Sequence, residues 1–90
     1  GIDHPDAVVA WLVYPNPAHD KLNLLFEAIH GELCKVILTD LQGRATKQIS
    51  APLVTGQNKM QIDLNDCAKG FYLLHIDAGS FTKTVKVVVE

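Results

Sequence analysis

The chain has 90 residues, of which 48% are hydrophobic and 20% are charged, and its formal net charge is −2. This length predicts one domain, in which folding hides roughly 60–65% of the unfolded surface. The composition excludes a disordered chain. A nucleic-acid partner is not expected, because such binding normally requires a basic excess. No apolar run approaches the roughly 20 residues of a membrane-spanning helix.

Apolar residues recur at every second position along most of the chain, which is the pattern of β-strands. The first predicted strand, over residues 8–13, is apolar at successive positions, and we therefore expect both of its faces to be covered. Further strands are predicted around residues 22–27, 34–39, 44–50, 60–64, 72–77 and 84–89. Seven short strands with no segment of helical period predict an all-β fold, a seven-stranded antiparallel immunoglobulin-like β-sandwich. A small barrel is the alternative.

Turn-forming residues separate these strands. The strongest signal is Tyr14-Pro15-Asn16-Pro17, because each proline fixes its own φ angle and keeps the preceding residue out of the helical region. Residues 40–43 predict a hairpin loop in which Gly43 takes a positive φ. Further reversals are predicted at Gly79-Ser80, residues 65–70, His30-Gly31 and Thr55-Gly56.

We expect no catalytic site. Ser50 is predicted at a strand end and Ser80 in a hairpin turn, and neither has the Gly-x-Ser-x-Gly context of an activated nucleophile. Cys34 lies in an apolar alternation, where a buried thiol is inert. Cys34 and Cys67 are interpreted as free thiols, with a single bridge between them as the alternative.

We also expect no metal ion and no cofactor. The sequence has neither a Gly-rich phosphate-binding loop nor a Cys-x-x-Cys motif. Asp63, Asn65 and Asp66 are the best local candidates for calcium, but a turn held by their own side chains is the preferred interpretation. The histidines lie in four different segments, at His4, His19, His30 and His75.

Several motifs occur together in a fixed order. They are Val13-Tyr14-Pro15-Asn16-Pro17-Ala18, Leu22-Asn23-Leu24, residues 36–44, Ile62-Asp63-Leu64, residues 70–76 and residues 83–89. Together, from about Leu12 to the end of the chain, they resemble the type A C-terminal sorting domain of the type IX (Por) secretion system of Bacteroidetes. The motif residues, for which we expect mainly structural roles, are Tyr14, Pro15, Asn16, Pro17, Asp40, Gly43, Gly70 and Tyr72.

The resemblance implies a non-catalytic signal that directs secreted cargo across the outer membrane. The implied partners are the type IX translocon, a sortase-like peptidase that joins the cargo to a surface anchor, and the upstream cargo domain of the same chain. The implied location is the periplasm in transit, then the cell surface or the extracellular space. Residues 1–7 would end the linker from the cargo, and residues 8–90 would form the sorting domain.

The last strand is the expected recognition surface, because an edge strand exposes unpaired backbone groups that a partner strand can extend. Lys83 and Lys86 would lie on opposite faces, with Lys83 at the rim of the core. The same edge could pair with a second copy to form a homodimer. The candidate recognition residues are Lys83, Val85, Lys86, Val87, Val88 and Val89.

The alternative function is an immunoglobulin-like accessory module of a secreted enzyme that binds glycan or matrix. Most of the aromatic residues fall on alternating apolar faces, which favours core packing over a sugar-binding platform. Phe71 is the exception, because alternation places it on the outward face with His75 and Asp77. A small enzyme is the third and least favoured hypothesis.

Overall fold

The computed structural model describes residues 7–90 as seven β-strands joined by turns. All strand ladders are antiparallel, and residues 7–90 contain no helix, so none that could cross a membrane. The predicted all-β antiparallel sandwich of immunoglobulin-like type is therefore confirmed. The strands are β1 (Val8–Tyr14), β2 (Lys21–Ala28), β3 (Glu32–Asp40), β4 (Ala45–Leu53), β5 (Gly56–Asp63), β6 (Gly70–Ala78) and β7 (Phe81–Val89).

Two sheets pack face to face. One has three strands in the order β1-β2-β5, and the other has four in the order β4-β3-β6-β7. Because side chains alternate across a strand, every second residue of the inner strands points into one shared core. The largest fully buried side chains are Phe26, Leu22, Leu24, Leu38, Leu64, Leu74, Ile76, Val36, Val87 and Cys34.

The first strand contradicts the expectation that both of its faces are covered. Val8 is its only buried residue, whereas Val9 is 59% exposed, Leu12 53% and Trp11 38%. β1 pairs with β2 alone and lies at a sheet edge, with an irregular register between Val8 and Ala10. The apolar pattern correctly predicted a strand, but coverage depends on a neighbouring layer that the pattern does not describe.

The predicted hairpins are confirmed. Gly43 has a φ of 86°. Its N–H closes the turn by donating to the Asp40 carbonyl at 3.0 Å. Gly79 has a φ of 68° in the two-residue turn between β6 and β7. A Cβ atom at Gly79 would lie 2.8 Å from the Glu32 carboxyl group, so this turn requires glycine both for its backbone and for space.

Candidate functional site

The backbone N–H and C=O groups of β7 point in two directions, toward β6 and toward the edge of the sheet. β7 pairs with β6 without a register break, from Phe81 opposite Ala78 to Val89 opposite Gly70. In an antiparallel pair, alternate residues turn both N–H and C=O toward the partner strand, and the others turn them outward. Val88 turns outward, because its N–H and C=O bond to residues 16 and 18 instead of β6. Even-numbered residues of β7 therefore present their backbone groups at the edge of the sheet.

Residues 15–18, which we call the edge clamp, cover the second half of this edge. The Asn16 side-chain amide donates to the Lys86 carbonyl at 2.8 Å and accepts from the Val88 N–H at 3.0 Å. The Ala18 N–H donates to the Val88 carbonyl at 2.7 Å, and the Ala18 carbonyl accepts from the Glu90 N–H at 2.8 Å. These four bonds occupy the outward groups from the Lys86 carbonyl to the Glu90 N–H.

The first half of the edge, residues 82–86, has no pairing partner among residues 7–90. Thr82 and Thr84 lie two and four positions before Lys86, so their N–H and C=O groups turn outward, as does the Lys86 N–H. β7 has a strand neighbour on one side only, and within residues 7–90 no hydrogen bond is made to these outward groups. We call residues 82–86 the open half of β7.

The predicted recognition residues differ in accessibility. Val87 and Val89 point into the core and are buried, whereas Val85 and Val88 are half-buried. Lys83 and Lys86 are exposed. A partner of the folded domain could therefore contact the lysine side chains and, in part, those of Val85 and Val88, while the two buried valines contribute packing.

The two lysines lie against aromatic rings on opposite faces of the sheet. The Lys83 ammonium group is 5.8 Å from the ring centroid of Phe81, at the rim of the core where it was expected. The Lys86 ammonium group is 4.5 Å from the ring centroid of Phe71 on the outward face. Such cation–π contacts fix the direction of a charge without neutralising it. Neither lysine forms an ion pair with a carboxylate of residues 7–90.

An aromatic contact joins the edges of the two sheets. Trp11 of β1 meets Phe81 of β7 edge to face, with ring centroids 6.3 Å apart and planes at 71°. Phe81 is buried, whereas Trp11 is partly exposed. The edges of β1 and β7 therefore lie along the same side of the sandwich, with Trp11 beside the open half.

Asp40 holds the β3–β4 turn through both oxygens of its carboxylate. One carboxylate oxygen accepts the backbone N–H groups of Gln42 at 2.9 Å and Arg44 at 3.0 Å. The other accepts the Arg44 Nε–H at 2.9 Å. The bonds from the Arg44 backbone and guanidinium group lower the pKa of the Asp40 carboxyl group below its ordinary value.

Tyr72 ties the crossover before β6 to the core. Its ring is buried, and its hydroxyl donates to the Ala68 carbonyl at 2.5 Å, which is a bond of the tyrosine-corner type. Burial raises the pKa of this hydroxyl.

Gly70 has a φ of 147° where the chain enters β6. Tyr14 is half-buried at the end of β1, next to the first of the two cis X-Pro bonds, which precede Pro15 and Pro17.

The remaining candidates have structural roles. The Asp63 carboxylate accepts the Asn65 N–H at 2.9 Å, which confirms the turn interpretation. His75 points outward, as predicted, with its ring nitrogens 3.2 Å from the Thr39 hydroxyl and 3.3 Å from the Thr84 hydroxyl. Within residues 7–90, no three His, Cys, Asp or Glu side chains gather as metal ligands would. His4 lies outside the described residues.

Neither thiol is activated, and the depression beside β1 is lined mainly by apolar and amide side chains. Cys34 is buried and free, and its burial raises the pKa of the thiol to about 11. Cys67 is half-buried and free, and burial raises its pKa as well. A depression of about 190 Å³ beside β1 is lined by Ala10, Trp11, Leu12, Leu25, Phe26, Glu27, Gln57 and Asn58. This lining contains no serine, threonine, cysteine, lysine or histidine side chain.

The strand edge and its clamp, rather than a pocket, are thus the distinctive surface of the chain. The family model described as the secretion system C-terminal sorting domain matches residues 12–90. The chain belongs to the type IX secretion C-terminal sorting domains. No curated protein matches it. Such a sorting domain is a secretion signal rather than a catalytic domain; it engages the type IX secretion machinery and implies export across the outer membrane to the cell surface or the extracellular space.

Two features of this sorting domain escaped the sequence analysis. Asn16 was predicted only as part of a corner, but its amide copies a peptide group and bonds to β7, 70 positions further along the chain. Trp11 was assigned to a covered strand, but it lies at an edge beside Phe81. The signal for Asn16 was its place between two prolines, which favours an irregular segment with a free amide.

Proposed function

We propose that the type IX translocon recognises this sorting domain as a folded body, through the edge of β7. The observation that supports this proposal is the row of outward backbone groups at Thr82, Thr84 and Lys86, which no strand of residues 7–90 covers. Unpaired strand edges are unusual in soluble proteins unless they are blunted, because they invite pairing with another chain. The recognition residues are proposed to be Lys83, Val85, Lys86, Val87, Val88 and Val89, with the two buried valines acting through the backbone and the core.

The finer steps of export follow from the same proposal. Residues 1–7 end the linker from an upstream cargo domain, and residues 8–90 form the signal. The cargo passes through the periplasm, and after translocation a sortase-like peptidase removes the signal and attaches the cargo to a surface anchor. The domain itself catalyses no reaction and uses no cofactor. Its scaffold positions an edge, which requires a rigid sandwich and no reactive side chain.

Glycan binding is the less favoured function. Phe71 is 49% exposed on the outward face, as expected for a sugar-stacking ring. However, the Lys86 ammonium group lies over that ring, 4.5 Å from its centroid. A sugar would have to displace the lysine before it could stack on that face of the ring, which makes Phe71 a poor platform.

A secretion assay tests the proposal. A reporter protein with an inner-membrane signal peptide is fused ahead of residue 1 in a bacterium that has the type IX system. We expect the reporter outside the outer membrane, and we expect its retention in a strain without the translocon. A Val87→Asp variant, which places a charge in the core, should also be retained because the folded edge is lost. Equal export with and without the translocon would contradict the proposal.

A further inference from the structure

We infer that the partner adds an extended segment to the open half of β7 alone, and that this segment carries two carboxylates three residues apart. The inference rests on the proposed function and specifies the chemistry of its contact. It has three parts, which concern the backbone groups that no part of residues 7–90 pairs, the length of edge that the clamp leaves, and the positions of two cations.

The backbone groups define the kind of partner. Thr82 and Thr84 each present one N–H and one C=O at the edge, and Lys86 presents one N–H. Groups in this arrangement match the donors and acceptors of an added β-strand, which supplies complementary groups at the same spacing. A small ligand or a helix surface has no such row of alternating groups. An extended peptide segment is therefore the occupant that fits.

The edge clamp defines the length of the contact. The carbonyl of Lys86, both backbone groups of Val88 and the N–H of Glu90 already bond to Asn16 and Ala18. An added strand cannot pair beyond Lys86 unless it displaces these residues. The clamp thus restricts the contact to residues 82–86 and fixes its register, which a bare strand edge would leave free to slip.

The lysines define the charge of the partner. Lys83 and Lys86 flank the open half, one on each face of the sheet, and neither forms an ion pair within residues 7–90. Opposite charges placed directly across paired strands stabilise the pairing. On an added strand, the positions opposite Lys83 and Lys86 are three residues apart and point to opposite faces, as the lysines do. Carboxylates at those two positions complement both cations.

A second copy of the chain fits this edge poorly. In an antiparallel pair with Thr84 opposite Thr84, residue 88 of one copy would face residue 80 of the other. That position is the turn between β6 and β7, and it would occupy the place where the edge clamp already bonds to Val88. The clamp that leaves room for a short partner segment therefore obstructs a symmetric β7 dimer.

Two substitutions at Thr84 separate the backbone from the side chain. Thr84→Pro removes the outward N–H while leaving the bonds to β6, because proline is tolerated where the N–H faces away from the ladder. Both variants remove the Thr84 hydroxyl, which lies 3.3 Å from the His75 ring, but Thr84→Val keeps the N–H. In the reporter assay we expect Thr84→Pro to lower export about tenfold or more. Thr84→Val should export within about twofold of the unchanged chain.

Charge variants test the carboxylates and do not depend on the proline variant folding. Lys83→Glu and Lys86→Glu should each lower export several-fold. Lys83→Arg and Lys86→Arg keep the positive charge and should retain most of the export. Lys59→Glu, on the edge strand of the other sheet, is the matched control and should export normally. Thermal unfolding of each purified variant, followed by circular dichroism, shows whether the fold is kept.

The outcomes are distinguishable. If the unchanged chain fails to export the reporter, the proposed function itself is wrong. If that chain is exported and a folded Thr84→Pro variant is exported equally well, strand addition at the open half is wrong. If Thr84→Pro does not fold, the charge variants decide, and normal export of both glutamate variants overturns the inference. A chain that elutes as a dimer in gel filtration, and as a monomer with Thr84→Pro, would make the occupant a second copy and overturn the acidic partner.

Discussion

β1 and β7 are both edge strands with apolar sequences, but the sandwich treats them differently. Val87 and Val89 of β7 are buried in the core, whereas Val9 and Leu12 of β1 are more than half exposed. β7 belongs to the four-stranded sheet, and the edge clamp bonds along its second half. β1 has only β2 beside it, and one of its faces has no covering layer within residues 7–90.

The difference shows that burial follows from the layer opposite a strand rather than from the strand's own composition. An inward valine of β7 faces the side chains of the three-stranded sheet, so each methyl group is removed from water. The exposed side chains of β1 are also apolar, but they remain in contact with solvent. Apolar residues on an exposed edge are a cost to solubility, and the broken register near Val8 blunts that edge.

A matched pair of valine truncations tests this comparison and should show the largest effect. Val87→Ala removes two buried methyl groups and leaves a cavity, so we expect it to lower the free energy of unfolding by about 2 kcal/mol. Val9→Ala removes the same atoms from a side chain that is 59% exposed, and it should change stability by no more than about 0.5 kcal/mol. Chemical denaturation of the two variants measures both. Equal losses would show that β1 is covered and that the comparison is wrong.

A truncation of Trp11 sharpens the comparison at a place where the two edges touch. Trp11→Ala removes the edge-to-face contact with Phe81, and we expect a loss of about 1–2 kcal/mol. Trp11→Phe keeps an aromatic partner and should lose less. Leu12→Ala, the next residue on the other face of β1, is the control and should have little effect because its side chain is 53% exposed. A loss in Leu12→Ala that equals the loss in Trp11→Ala would contradict this assignment.

Asn16→Ala tests the clamp that sets the two halves of β7 apart. The variant removes two exposed hydrogen bonds to the Lys86 carbonyl and the Val88 N–H, which we expect to cost about 1 kcal/mol. Amide hydrogen exchange followed by NMR gives the local effect. In the unchanged chain the Val88 amide should exchange more slowly than the Thr84 amide, and Asn16→Ala should remove that difference. Equally fast exchange of both amides in the unchanged chain would show that the edge is not clamped.

Most of the fold could be predicted because its signals are local. Alternation of apolar and polar residues identified six of the strands, and a continuous apolar run identified the first. Gly43 and Gly79 marked hairpins where a positive φ is needed. Alternation also placed Lys83 and Lys86 on opposite faces of the last strand. These properties belong to a few neighbouring residues, so the order of strands in the sheets does not affect them.

The candidate site could be predicted only in part because its decisive contacts are not local. The amide of Asn16 reaches Lys86 and Val88, and no spacing rule links residues so far apart in sequence. Whether the outward groups of Thr84 remain unpaired depends on which strand or loop lies beside β7. That is a property of the assembled sheets. For the same reason, the exposure of β1 could not be inferred from its apolar residues.

The smallest predicted effect concerns a carboxylate in the β3–β4 turn. It distinguishes the sensitivity of the fold to acid from the properties of the two strand edges. Arg44 lowers the pKa of Asp40 below 3.8, so the ionised form stabilises the fold above that value, and the contribution is lost as the pH falls below it through the lowered pKa. Asp40→Asn should therefore reduce the drop in unfolding temperature between pH 7 and pH 3. Asp77→Asn, an exposed carboxylate without an ion pair in residues 7–90, is the control. An unchanged drop in Asp40→Asn would contradict this assignment, since the turn would then contribute nothing to acid sensitivity.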